Sequence, residues 1–407
     1  MKSSRIAVNA VVALLLLLFS TPALHAQAPA QPIIARHGMV VAQEARAARV
    51  GVDILKAGGN AVDAAVATGF ALAVTYPRAG NIGGGGFMLI HLAKGARDIA
   101  IDYRETAPAA TTRDIFLNAQ GEADARKSRE SGLAVGVPGT VAGLALAHAR
   151  YGSGKLTLAQ LIAPAIRLAR EGIAVDGDIA DTLEGAQALF ARWPSSARIF
   201  LKANGAALAP GEALVQADLA ASLAAIARDG ARAFYQGPIA EKIVAAVRGA
   251  GGIMTRDDLQ NYRAVERTPL RGRYRGYDIV SMPPPSSGGT ILIEMLNILE
   301  GYTLSKLGAN SDATLHLMIE AMKRAYADRA VHLGDPDFVR VPVTSSNLPS
   351  LNTKVGAIEE SGRLRGAGAL ASPPRRPKAL GAPALAAKSS SSLLSRMPVP
   401  SATSPRP

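Results

Sequence analysis

Apolar residues along this chain recur mostly at helical spacing, interrupted near residue 80, over residues 111–132 and again from Arg267. Ala42 to Lys56 predicts a helix in which Val50, Ile54 and Leu55 form one apolar stripe and Gly58 ends the run. Asn60 can cap the next helix, Ala61 to Val74, which is small and apolar on every side and so predicts a buried element. Tyr76-Pro77 stops it. Four glycines at 83–86 follow, then an apolar strand Phe87-Met-Leu-Ile, a tight loop, and a second strand from Ile99 to Glu105 that carries Arg104 outward near its end. Residues 111–132 are polar and charged, which predicts an exposed loop.

Beyond that loop the helical period returns. Val137-Pro-Gly-Thr140 opens a small-residue helix to Arg150, closed by Tyr151-Gly152. Thr157 caps Leu158 to Arg170, with Leu161, Ile162, Ile166, Leu168 and Ala169 facing inward; Pro164 should kink this helix or mark its first turn. Amphipathic helices are predicted over Leu214–Arg228 and Pro238–Arg248, and Thr255 with Asp258 matches a capping box before Leu259. The texture changes at Arg267. Pro269 to Ser281 predicts a hairpin turning at Gly272 or Gly276. Met282 to Gly289 is too rich in proline for a central strand and predicts a connector into a helix over Thr290–Glu300. Ser311 or Asp312 caps a last, long helix through Leu333, with Leu315, Met318, Ile319, Met322 and Tyr326 on one face.

Composition narrows the chemistry. Residues 1–26 predict an export leader: Lys2 and Arg5, then an apolar run with leucines at 14–18, then a small-residue cleavage point at Ala26. No other segment approaches the ~18 uninterrupted apolar residues of a membrane span, so the expectation is a secreted or periplasmic protein that leaves the membrane after cleavage. The 407 residues contain no cysteine, which excludes disulfides, thiolate metal sites and a cysteine nucleophile. Six scattered histidines show no ligand spacing, so a metal site is not expected. Of the net charge of +13, residues 344–407 carry +7 and the leader +2, leaving +4 for residues 27–343. That is too little, without interleaved aromatics, to predict a nucleic-acid partner. The glycine run precedes a strand instead of following one, and no Lys-Ser/Thr comes after it, so a phosphate loop is not expected either. Glycine here more simply permits close approach of another segment.

Seven motifs occur in order: GVDILKAGGNAVDAAVA, GNIGGGGFMLI, IDYRETAP, VPGTVAGLALAHARYG, AVERTPLRGRYRGY, SMPPPSSGG and YADRAVHLGDPDFV. Together, over about residues 33–343, they closely resemble the large subunit of gamma-glutamyltransferase (gamma-glutamyltranspeptidase, glutathione hydrolase). The resemblance implies an α+β, helix-rich fold: the large-subunit part of the αββα sandwich of N-terminal nucleophile hydrolases. It implies a precursor cut into two subunits, whose new N-terminal threonine attacks the gamma-glutamyl amide of glutathione and whose own α-amine takes the proton. It also implies no cofactor, and a small subunit as partner. By its place in IDYRETAP, Arg104 corresponds to the arginine that grips the substrate α-carboxylate, a geometry that suits a planar guanidinium. Read without the resemblance, an arginine beside Asp102 and Glu105 is more often part of a structural ion pair. For Gly83–Gly86 and Ser286–Gly289 a structural role is expected.

From Thr344 the family motifs stop. Residues 344–407 contain no aromatic residue, nine of the 25 prolines, and only Glu359 and Glu360 as acids. Such a segment predicts disorder. Its abrupt onset suggests a shift of reading frame near residue 343, tested by translating the other two frames for a Thr-Thr-His-type motif. The chain as given has no such motif, so it is expected to be inactive alone. Two alternatives remain: an amidase fragment like cephalosporin acylase, and a non-catalytic periplasmic binding or scaffold subunit.

Overall fold

The computed structural model describes residues 32–342; the expected leader, and the tail predicted from residue 344, lie outside the described residues. Residues 32–39 belong to a unit of their own and contain no helix or strand. The second unit begins at Val40 and contains every element that follows.

Helix α1 (Ala45–Lys56) starts later than predicted, where the Glu44 side chain accepts from the Ala47 amide. Helix α2 (Ala61–Thr75) is capped by Asn60, whose side-chain oxygen accepts from Val62 and Asp63, while Asp63 accepts from the Asn60 amide. Eleven of its fifteen residues are buried, as an all-apolar helix demands. It packs against α1, α3 (Thr140–Tyr151) and α4 (Leu158–Glu171). The main core gathers Phe70, Ile101, Leu144, Leu161, Ile162, Leu223, Ile226, Phe234 and Met254 around α2. Helix α4 carries the predicted Thr157 cap, Pro164 within it, and Gly172 at φ 85° beyond its end.

Strands β1 (Phe87–Leu92) and β2 (Arg97–Asp102) pair antiparallel, with Phe87 opposite Asp102 and Leu92 opposite Arg97. β2 stops three residues short of its predicted end. Two-residue strands β3 (Ile173–Ala174) and β4 (Ala213–Leu214) bracket a lobe containing α5 (Gly177–Ala191), for which sequence patterning made no prediction. Leu214 pairs with Ile173 and is fully buried, so the helix predicted to start there, α6 (Ala217–Asp229), starts three residues later. Helices α7 (Pro238–Gly249) and α8 (Arg256–Asn261) follow, the second with the predicted Thr255–Asp258 capping box. Strand β5 (Val265–Arg267) then completes the first sheet in the order β1-β2-β5.

The predicted hairpin is β6 (Leu270–Tyr274) and β7 (Tyr277–Ser281). It turns at Arg275-Gly276, both at positive φ, the geometry that matches strand twist. Helix α9 (Gly288–Glu300) packs on this hairpin, and α10 (Asp312–His332), capped by Ser311, packs on α9. Ala321 and Ala325 are the buried residues of α10, while Leu315, Met318, Ile319, Met322 and Tyr326 are 43–54 % exposed. The small face of the helix meets α9; the large apolar face has no cover among the described residues. None of the described helices is long and apolar enough to cross a membrane.

Candidate functional site

Arg104 stands two residues past β2, on a backbone held from three directions. The glycine loop forms the first support. Gly86 and Tyr103 exchange amide-to-carbonyl bonds of 3.2 and 3.0 Å, extending the β1–β2 ladder by one pair. A side chain at Gly85 would place its Cβ 2.5 Å from the Tyr103 oxygen, 2.7 Å from the Glu105 nitrogen and 2.9 Å from the Arg104 Cα. The Gly84 carbonyl accepts from the amides of Gly139 and Thr140 at 2.7 and 3.0 Å. Those amides, at the start of α3, therefore point at the loop's own backbone and not toward an anion. The glycine run serves close approach.

The second support is Asp102, 7 % exposed, which accepts from the Arg104 amide at 3.1 Å. Its other oxygen accepts from Arg267 Nε at 2.7 Å, and Arg267 donates both terminal nitrogens to Asp337 at 3.0 and 2.7 Å. This pairing pushes the Arg267 guanidinium up from its ordinary value and holds Asp337 below the usual carboxylate range. The third support is Tyr262, whose hydroxyl donates to the Arg104 carbonyl at 2.8 Å. Burial raises the Tyr262 phenol, and likewise pushes Tyr103 up to about 12.

Asp102, one of the two acids that flank Arg104 in sequence, is thus committed to Arg267. Among the described residues the Arg104 guanidinium itself makes no hydrogen bond or ion pair, and the residue is half-buried. The ion pair that a lone arginine beside Asp102 and Glu105 would suggest is made by Arg267 instead. Sequence spacing had no means of pairing residue 102 with residue 267, although both lie in quoted motifs.

Ser286–Gly289 has a structural part. Ser287 Oγ accepts from Arg329 Nε at 3.0 Å, tying the start of α9 to α10, and a side chain at Gly289 would overlap the Met282 carbonyl. Among the described residues no cluster of three or more His, Cys, Asp or Glu could hold a metal ion.

The family model for gamma-glutamyltranspeptidase matches residues 47–357, most of the chain. The chain belongs to the gamma-glutamyltranspeptidase family. The match runs past residue 343, the end of the stretch over which the seven motifs suggest the resemblance. The glutathione hydrolase proenzyme of Escherichia coli K12 is 53 % identical over 313 residues, covering 76 % of this chain and 53 % of that protein. The gamma-glutamyltranspeptidase of Helicobacter pylori superposes with a TM-score of 0.74 at 42 % identity, over 83 % of this chain and all of that one. A cephalosporin acylase from Bacillus halodurans superposes at 0.67 with 30 % identity, over 82 % of this chain and 62 % of that one. The fold is therefore that of the gamma-glutamyltranspeptidases, helix-rich and α+β. The chain spans about half the length of the curated relatives it matches.

Proposed function

We propose that this chain is the substrate-gripping half of a gamma-glutamyl hydrolase or transferase. In this account Arg104 binds the α-carboxylate of a gamma-glutamyl donor such as glutathione. The observation that carries the proposal is a guanidinium on a triply supported backbone, itself unpaired among the described residues, with Asp102 already engaged by Arg267. A bidentate carboxylate on such a group contributes on the order of 1.5–3 kcal/mol. The nucleophile, its amine base and the oxyanion donors come from a small subunit of the same family, so the chain alone does not turn over substrate. Loss of a single oxyanion donor already costs ~10²–10³ in rate.

The exposed stripe of α10 supports this partner. Leu315, Met318, Ile319, Met322 and Tyr326 form a continuous apolar face of the kind that marks an interface. The leader around Leu14–Leu18 supports assembly in the periplasm or outside the cell. The test is hydrolysis of a chromogenic gamma-glutamyl anilide by the purified chain, alone and with a family small subunit added. Activity only in the mixture is expected; activity of the chain alone contradicts the missing nucleophile. The likeness to a cephalosporin acylase favours a second donor class, and preference for a cephalosporin amide over the gamma-glutamyl anilide would establish it.

A further inference from the structure

The short helix α8 touches the segment after Arg104 at two points. Asp258 Oδ1 accepts from the Ala109 amide at 2.7 Å, and Tyr262, the residue that ends the helix, donates its hydroxyl to the Arg104 carbonyl at 2.8 Å. Residues 104–109 are thereby pinned at both ends to one rigid turn. That turn is itself fixed at its start, where Thr255 and Asp258 cap it reciprocally.

The Tyr262 ring has no freedom to drift. It is 7 % exposed and lies parallel to the Tyr235 ring, 6° off plane at a centroid distance of 5.8 Å. The Tyr235 hydroxyl donates to the Pro138 carbonyl at 2.9 Å and accepts from the Ala142 amide at 3.2 Å, so it is locked to the first turn of α3. Gly139 lies between these groups: a side chain there would overlap both the Tyr103 carbonyl and the Tyr262 hydroxyl. The path runs from α3 through two stacked phenols to the peptide that follows Arg104.

We propose that Tyr262 is a positioning residue for the Arg104 guanidinium, its hydroxyl fixing the 104–105 peptide so that the side chain leaves the backbone in the direction a substrate carboxylate requires. The inference rests on Arg104 being the carboxylate-binding group. Tyr262 does not touch substrate; it acts through the orientation of the residue that does. Geometry of this kind matters because a displacement of about 1 Å at a positioned group can cost ~10²-fold in rate.

The test uses the full chain with a family small subunit, and two donors: a gamma-glutamyl anilide and its 4-aminobutyryl counterpart, which lacks the α-carboxylate. Tyr262→Phe keeps the ring and stack and removes only the hydroxyl. It is expected to raise KM for the gamma-glutamyl donor by roughly three- to thirtyfold, a part of the ~10–150-fold carried by a charge-assisted bond. The decarboxylated donor is expected to be nearly unaffected, so the preference between the two shrinks. A merely structural residue would move both donors alike. An unchanged preference in Tyr262→Phe overturns the positioning role. Arg104→Lys separates the two ideas: if it abolishes the preference while Tyr262→Phe does not, only the positioning role falls, and if it keeps the preference, the assignment of Arg104 falls first. Should Tyr262→Phe not fold, Tyr235→Phe loosens the same stack and is expected to give a smaller shift in the same direction. Should the mixture be inactive, amide hydrogen exchange on the chain alone decides. Faster exchange at Arg104 in Tyr262→Phe, with Ile101 unchanged, supports the role; equal exchange at both overturns it.

Discussion

Gly85→Ala adds one methyl group at the point where the glycine loop meets the Arg104 backbone. The new carbon would lie 2.5 to 2.9 Å from three atoms, the Tyr103 oxygen, the Glu105 nitrogen and the Arg104 Cα. Favourable carbon contacts lie near 3.5–4.0 Å, so the two segments must separate by about 1 Å. All three atoms are backbone, and no side chain can rotate aside. Overpacking of this kind costs about 1–3 kcal/mol. Separation also weakens the two Gly86–Tyr103 hydrogen bonds, each contributing ~0.5–1.5 kcal/mol. The expected destabilisation is therefore about 2–6 kcal/mol, with a loss of donor affinity because Arg104 moves with its backbone. Gly83→Ala provides the control, since its Cβ would meet nothing within 4 Å and its φ is not positive. It should be neutral, or stabilising by about 0.4–1 kcal/mol through the unfolded chain. Urea denaturation of both variants, read as midpoint shifts at constant slope, checks the contrast. Equal midpoints would mean that the glycines are not there for close approach.

Other consequences are as specific. Arg267→Met strands the buried Asp102 carboxylate and should cost about 3–5 kcal/mol by chemical denaturation, part of which returns when Asp102→Asn is added; a cost below ~1 kcal/mol would contradict the support network. Burial, reinforced by Asp328, pushes the Glu294 carboxyl up to about 8 from its ordinary 4.5. A folded value above the unfolded one gives stability that is complete below pH 4.5 and is lost as pH rises through 8, so melting temperature should fall across that window and Glu294→Gln should flatten the profile. Ile319→Glu, at a position 51 % exposed, should change the stability of the isolated chain by less than ~0.5 kcal/mol while weakening capture of the small subunit at least tenfold in a binding titration. Covering all five stripe residues would remove about half of each side chain from water, on the order of 4–7 kcal/mol in total.

Local chemistry made most of the helices readable from the chain. Asn60, Thr157, Thr255 and Ser311 each cap the helix they were expected to cap, because a cap needs only its own neighbours. The Arg275-Gly276 turn was narrowed to two candidates by composition and resolved by its backbone angles. Elements fixed by distant partners were not readable. Leu214 sits in a strand because of Ile173, and α5 lies in the stretch between them, where no periodic pattern was recognised. The α10 stripe has ordinary core spacing, yet it faces outward because the alanine face of the same helix fits α9 more closely. At the site, Arg104 could be singled out by its motif, but Tyr262, Arg267 and Asp337 join it from 158 to 233 residues further along the chain. Spacing along a sequence does not encode such contacts.

The group that Arg104 recognises decides the function of this chain. Hydrolysis of a gamma-glutamyl anilide and of its decarboxylated analogue should be compared for the original chain and for Arg104→Lys, each assembled with the small subunit. The original pair should favour the carboxylated donor by roughly 10- to 100-fold in kcat/KM, and the lysine variant should lose most of that preference. An equal preference in both would show that another group reads the carboxylate.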